Sequence, residues 1–333
     1  MVRVAAKGSR PGRTRGEPLH GVLIVDKPRG PTSHDVVMKL RRLLLTREIG
    51  HAGTLDPMAT GVLVVGIGEG TKLAPYLTSV DKTYEATIEL GATTDTLDAE
   101  GKVTKRIPVN DEACAALMHP REPLPRLIEA ALMAESTRTE QVPPQYSAIH
   151  EKGERAHTRA RRGEKVQLPL RPVVVHKLVM LGAGIDPKPW LALRVEVSKG
   201  YFVRALARDL AERLGTVGYL TSLRRTRSGP FTLDEASPLD TPDDELIARI
   251  MPLGRAAGRA LHVARLTEQG ARDARFGRRV RAEDLDARAS GPHAWLDGGD
   301  TLVAVGERLA DGSGRVLRGF QSKARPRRGE GGG

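Results

Sequence analysis

The run Gly50-His51-Ala52-Gly53-Thr54-Leu55-Asp56-Pro57-Met58-Ala59-Thr60-Gly61-Val62-Leu63-Val64-Val65 sets one carboxylate among small residues, just ahead of an apolar stretch that reads as a strand. Pro57 biases Asp56 toward extended backbone angles, and the glycines at 50, 53 and 61 permit turns and close backbone approach that larger residues would block. This leaves the carboxylate within reach of a substrate. The same letters also suit a short helix, with Asp56 as N-cap, Pro57 at the first helical position and Gly61 at its end. Capping and chemistry are compatible, so both readings stand.

On the N-terminal side, Val22 to Val25 reads as a buried strand. Thr32 and Asp35 then have capping-box spacing for a helix that turns Val36, Val37, Leu40, Leu43 and Leu44 inward. Ser33, His34 and Asp35 are therefore not a hydrolytic triad, because adjacent helical positions do not face one another. Downstream, Tyr84, Ala86, Ile88 and Leu90 alternate onto one strand face, as do Leu191, Leu193, Val195 and Val197. A strand ending near Ser198 turns through Gly200 into a helix that starts near Arg204 and carries Leu206, Ala207, Leu210 and Leu214. The alanine-rich segment from Asp111 to Glu140 reads as helical, broken between Pro120 and Pro125. Strands separated irregularly by helices predict an α+β fold, with a mixed, largely antiparallel sheet flanked by helices. From about Leu261 the texture changes to short strands and glycine turns, typified by Ala294-Trp295-Leu296, Gly298-Gly299 and Leu302 to Val305, which predicts a small β-rich C-terminal domain.

The 333 residues suffice for a substantial core, and the formal charge of +12 fits a polyanionic partner, nucleic acid first. The arginines at 155, 159, 161 and 162 with Lys165 form a dense basic stretch suited to a folded RNA backbone, although such runs are often simply solvated. No apolar stretch approaches ~20 residues and the basic N-terminus lacks the core of a signal peptide, so a soluble, cytoplasmic protein is expected. The single cysteine, Cys114, leaves no internal disulfide and no thiolate cluster for a metal. Gly66 to Lys72 is glycine-rich after an apolar strand, but it spells neither the P-loop nor the dinucleotide fingerprint.

Six further blocks carry a resemblance. They are Gly21 to Ser33, Asp81-Lys82-Thr83-Tyr84, Gly91 to Gly101, Val142 to Ala148, Ser198 to Arg204, and Leu223-Arg224-Arg225. With the Asp56 run, and in this order, they closely resemble the TruB-type family of tRNA pseudouridine synthases over about residues 21–258. The C-terminal segment is similar to the PUA-like RNA-binding domain of many bacterial members. The resemblance implies a pseudouridine synthase fold divided into a basic arm at 1–18, a catalytic domain at 19–258, a PUA-like domain at 259–322 and a basic, glycine-rich tail at 323–333. It also implies isomerisation of uridine 55 in the T-loop of tRNA. The partner is then the T-arm of tRNA, with no membrane, no protein partner, no cofactor and no metal, and a monomer is expected.

That reaction breaks the bond between uracil N1 and ribose C1′, rotates the base and rejoins it through C5. It needs a flipped-out uridine, a carboxylate and a site that retains free uracil. The resemblance makes Asp56 that carboxylate and leaves open attack at C1′, attack at C6 or a glycal route. Burial disfavours a carboxylate, so a fixed cation is expected beside it, and the resemblance implies that Arg204 pairs with Asp56, against a plain reading as a solvated or phosphate-binding side chain. Tyr84 would stack on the uracil, or be an ordinary core aromatic. Lys27 and Pro28 would line the pocket floor, with a surface turn as the alternative for Lys27. His51 would contact or flip bases, or be a packed imidazole; Thr54 joins it as substrate-binding. Asp95 would hydrogen-bond RNA, or form a turn. Leu223 would be an apolar pocket wall or plain core.

Two positions depart from the family, the lesser being His157, where an aromatic is usual after Lys152-Gly153, and the greater being position 202. Phe202 stands where a tyrosine is usual two residues before the arginine, which removes a hydroxyl and keeps a ring. Tyr201 would point to the opposite face of a regular strand. The departure keeps a second function in view, a tRNA-binding or tRNA-folding protein on the same scaffold without the chemistry.

Overall fold

The computed structural model describes residues 19–119, 123–147, 150, 151, 154, 155, 159, 162 and 168–321. The expected arm at 1–18 and tail at 323–333, together with His157 and with Arg161 and Lys165 of the basic stretch, lie outside the described residues.

Strand β1 (Gly21–Lys27) leads through Thr32 into helix α1 (Ser33–Leu43), where the Thr32 hydroxyl caps the Asp35 N–H and the Asp35 carboxylate returns to the Thr32 N–H. Strands β2 (Ile49–Ala52), β3 (Thr60–Ile67) and β4 (Lys82–Leu90) follow, then helices α2 (Asp111–Met118) and α3 (Arg126–Ser136) on either side of the proline break. Strands β5 (Val175–Gly184) and β6 (Trp190–Val197), helix α4 (Val203–Arg213) and strands β7 (Gly218–Ser228), β8 (Phe231–Thr232) and β9 (Ser237–Pro238) complete the main layer. Its order is β5-β6-β4-β7-β3-β1-β9, with β2 beside β3 and β8 beside β7. The pairings of β7 with β3 and of β1 with β9 are parallel; the remaining ladders are antiparallel, giving the mixed sheet that the strand patterns predict.

Alternation divides the side chains of this sheet between two layers. Leu23, Val25, Leu63, Val65, Ala86, Ile88, Leu193 and Val195 join the apolar residues of α1, α3 and α4 in one core. Val22, Ile24, Val62 and Val64 face the other way and pack in a single apolar layer with Ala256, Ala257, Ala294, Leu296, Leu302, Val305 and Phe320.

Those partners belong to the C-terminal part of the chain. Helix α5 (Leu253–Ala260) leads to strand β10 (His262–Leu266), helix α6 (Glu268–Arg275) and strands β11 (Leu285–Asp286), β12 (Pro292–Leu296), β13 (Leu302–Arg308) and β14 (Gly314–Gly319). They form a separate sheet, ordered β11-β10-β12-β13-β14, with Trp295 fully buried behind it. Glu69 ties the two parts together at the edge of the shared layer, accepting from Lys72 Nζ at 2.6 Å and from the Gln321 N–H at 3.0 Å. The glycines of the Gly66 to Lys72 run let this turn lie close against the start of β1: a Cβ on Gly70 would lie 1.9 Å from the Gly21 carbonyl oxygen. No helix among the described residues is long and apolar enough to cross a membrane.

Candidate active site

Register lines up the site before any side chain is considered. Lys27 on β1 lies opposite Gly61 on β3, Gly61 opposite Arg225 on β7, and Arg225 opposite Tyr84 on β4. Directly opposed residues present their side chains to the same face, so one row across the sheet carries Lys27, Arg225 and Tyr84 on the helix-covered side. Gly61 must be glycine here. Its φ is +101°, and a Cβ would sit 2.2 Å from the Arg225 carbonyl oxygen.

The Asp56 segment enters this row as a loop, not as the short helix its Asp-Pro start allows. A single turn closes at Asp56, with the Ala59 N–H donating to the Asp56 carbonyl at 3.0 Å, and the chain passes directly into β3. The helix reading fails because the loop's backbone groups are taken by side chains from distant segments. Lys27 Nζ donates to the carbonyls of Pro28, Pro57 and Ala59 at 3.0, 3.1 and 2.7 Å. The Ser33 hydroxyl accepts from the Leu55 N–H at 2.9 Å and donates to the Leu55 carbonyl at 3.1 Å. Arg225 donates to the carbonyls of Val62 and Gly53 at 2.7 and 3.0 Å. Lys27 is fully buried, which overturns its surface-turn reading. Every one of these bonds goes to backbone, so the Asp56 side chain is left for another partner.

That partner is Arg204, the second residue of α4. Its Nε lies 2.9 Å from Asp56 Oδ2 and its Nη2 3.2 Å from Oδ1, a side-on two-point pairing. The guanidinium is itself held, by the Thr96 carbonyl at 3.0 Å and the Tyr146 carbonyl at 2.9 Å, and Asp98 Oδ2 stands 3.8 Å away. Arg204 keeps 9% of its side-chain exposure and Asp56 32%, so the carboxylate is the open end of the pair.

The remaining expected residues spread around this centre. Tyr84 and Leu223 are buried in the core layer, and Pro28 and Thr54 are exposed near the loop. His51 is half-buried; burial and the nearby Arg225 hold its imidazole below the usual range, and its Nδ1 finds no hydrogen-bond partner among the described residues. Asp95 forms a turn, its Oδ1 accepting the Lys102 N–H at 2.8 Å. Phe202 is the N-cap residue of α4 and is partly exposed, whereas Tyr201 is buried in the core beside Glu135, Arg138 and Asp209. Local sequence missed Asp98, Arg225, Ser33 and Lys82 as parts of the site's frame. Arg225 had a readable signal: it alternates with Leu223 on the apolar face of a strand, where a charge demands partners. Glu100 belongs to the same surroundings, its carboxyl raised by burial and by the charges of Asp98 and Asp56. No group of His, Cys, Asp and Glu among the described residues is arranged to hold a metal ion.

Two buried ammonium groups belong to this region, Lys27 in the row and Lys82 two residues before Tyr84 on β4. Burial lowers Lys27 and Lys82 to about 8 each. Lysine in the unfolded chain titrates near 10.4, so between these values the unfolded state binds more protons and stability rises with pH. Lys82→Met removes one such titration. From about pH 7.5 to 9.5 the wild type should gain about 1–2 kcal/mol over that variant in urea unfolding. Parallel pH profiles for the two proteins would contradict this.

The sequence that builds this site is similar to that of known proteins. Residues 41–203 match the TruB family pseudouridylate synthase N-terminal domain, and residues 204–249 match the tRNA pseudouridylate synthase B C-terminal domain. The tRNA pseudouridine synthase B of Thermobifida fusca (strain YX) is 47% identical over 306 residues, which cover 89% of this chain and 97% of that protein. Its counterpart in Arthrobacter sp. (strain FB24) is 44% identical over 308 residues, covering 89% and 94%. The fold is shared with a solved Cbf5-Nop10-Gar1 complex, at a TM-score of 0.65 and 23% identity, over 90% of this chain and 84% of that one. Both family models fall on the segments that bring Asp56 and Arg204 together, and identity at this level covers 89% of the chain: the chain belongs to the TruB family of pseudouridylate synthases.

Proposed function

We propose that this chain isomerises uridine 55 in the T-loop of tRNA to pseudouridine, with Asp56 as the acting carboxylate and Arg204 as its fixed counterion. The observation that carries this reading is the Asp56–Arg204 pair, buried on the arginine side and open on the aspartate side. A guanidinium is a permanent cation, so it offsets the cost of drawing the carboxylate out of water and fixes its orientation. Two backbone carbonyls hold the arginine from behind, which leaves little freedom for the pair to turn away.

A flipped-out uridine would lie over the carboxylate with its ring toward Tyr84 and Phe202 and against Leu223. The N1–C1′ bond pair leaves with uracil, the base rotates, C5 bonds to C1′, and the C5 proton is lost while N1 gains one, which restores the C5–C6 double bond with no net change in composition. Attack at C1′, attack at C6 and proton abstraction toward a glycal all use the same carboxylate. Lys27 and Pro28 shape the floor, while His51, Thr54 and Asp95 lie along the path of the RNA. We assign 19–258 to the catalytic domain and 259–322 to a PUA-like RNA-binding domain of a monomeric, cytoplasmic enzyme. The separate C-terminal sheet supports the division, and the relatives' printed names support the enzyme.

Incubation with an unmodified tRNA transcript, followed by site-resolved mapping, should give pseudouridine at position 55. Bound but unmodified tRNA would favour the RNA-binding reading instead. Phe202 offers a finer check. If its ring walls or stacks on the uracil, Phe202→Ala should lose about tenfold or more in single-turnover rate, since a stacked base is worth about 1–3 kcal/mol. Phe202→Tyr should change the rate only modestly. Wild-type kinetics for Phe202→Ala would place the ring outside the pocket.

A further inference from the structure

The geometry points to Gln141 as a positioning residue that sets Arg204, and through it Asp56, in place. This deepens the Asp56–Arg204 reading and rests on it. Gln141 is 1% exposed and lies in a two-residue strand, Glu140–Gln141, opposite Arg171. Its side-chain amide takes both backbone groups of Phe202: Oε1 accepts the Phe202 N–H at 2.9 Å, and Nε2 donates to the Phe202 carbonyl at 3.2 Å.

Phe202 cannot cap the helix through its own side chain. It is the N-cap residue of α4, and helices favour Ser, Thr, Asp or Asn there because the cap's own side chain satisfies a free N–H. A phenyl ring satisfies none, and no side-chain cap bond is present. The Phe202 carbonyl already receives the N–H groups of Ala205 and Leu206 at 3.1 and 3.2 Å, so the amide of Gln141 joins the first turn of the helix directly. Arg204 lies in that turn.

The segment after Gln141 repeats the hold. The Tyr146 carbonyl accepts from Arg204 Nη2, and the Val142 carbonyl accepts from Arg208 Nη2 at 3.1 Å. One short stretch therefore meets the helix at residues 202, 204 and 208, and Gln141 is its only described member that binds through a side-chain amide. Nothing in the proposed chemistry requires Gln141 to touch uridine, so its effect passes through the arginine.

An amide is the group this position demands, because it must accept and donate at once in a buried place. Glutamate has the same length but only accepts when ionised, and would face the Phe202 carbonyl with a lone pair. Protonated, it regains a donor. Its surroundings carry both signs, Glu135 and Asp209 against Arg138, Arg208 and Arg213, with the Tyr201 hydroxyl facing the same amide. Burial is what raises a carboxyl's proton affinity at this position.

The test uses the full-length protein and unmodified tRNA, under single-turnover conditions, with tRNA affinity and Tm measured on the same samples. Gln141→Leu should slow the chemical step about 10- to 100-fold while tRNA affinity stays within about twofold, as a small misplacement of a reacting group does. In Gln141→Glu, the rate relative to wild type at the same pH should climb as pH falls from about 8.5 to 6, because the protonated side chain restores the donor. That second variant decides the matter if Gln141→Leu does not fold. A wild-type rate for Gln141→Leu, or a relative rate for Gln141→Glu that is flat with pH, overturns the role of Gln141. Product formation by the wild type and its loss in Asp56→Asn read the Asp56 proposal itself, so the two ideas fail separately.

Discussion

Asp56→Asn should yield a folded protein that binds tRNA and forms no measurable pseudouridine, a loss of at least about 10³-fold in single-turnover rate. The fold should survive because the bonds that hold the loop, from Lys27, Ser33 and Arg225, all end on backbone atoms. Asparagine keeps the size of the side chain and one oxygen for Arg204. The arginine loses its nearest charge but retains the Thr96 and Tyr146 carbonyls and the Asp98 carboxylate. The thermodynamic cost should then be about 1–3 kcal/mol, that of weakening a hydrogen bond between charged groups. Site-resolved mapping beside a melting curve reads both effects, and substantial turnover by a verified Asp56→Asn preparation would end the assignment.

Deleting residues 261–333 should produce a larger loss than an RNA-binding module would suggest. Val22, Ile24, Val62 and Val64 share one apolar layer with Ala294, Leu296, Leu302, Val305 and Phe320, so the deletion bares the back of the main sheet. Burying a single such side chain is worth about 1.5–3 kcal/mol, and several together rival the whole stability of a domain, about 5–15 kcal/mol. The shortened chain should be insoluble or lack a cooperative melt, and the intact chain should unfold in one calorimetric transition. A soluble truncation melting within a few degrees of the full chain would show that the two sheets are independent.

The parts of this molecule that sequence made plain are those decided within one element. Alternation identifies β4 and β6, the Thr32–Asp35 spacing identifies the start of α1, and the proline break separates α2 from α3. Pairings across long stretches are a different matter. Asp-Pro begins a helix or a turn equally well, and the choice here is made by Lys27, Ser33 and Arg225, none of which lies inside the loop. Lys27 looks like a surface residue beside Pro28 and Gly30 until the carbonyls of Pro57 and Ala59 close over it. Gln141 gives no local sign at all, because its meaning is the backbone of Phe202, 61 residues on. Asp56 and Arg204 could be picked out only because whole blocks around them resembled a family.

The distance along the chain between those two residues also matters while the protein is being made. Asp56 and Arg204 are 148 positions apart, and β7, the strand that joins their two halves of the sheet, ends at Ser228. A growing chain on the ribosome exposes its carboxylate early, then must wait until more than two-thirds of its length has been synthesised before the arginine and its supporting strand emerge. A prematurely terminated product lacking that portion has a carboxylate without a site, so abortive translation near this point releases fragments that cannot modify RNA.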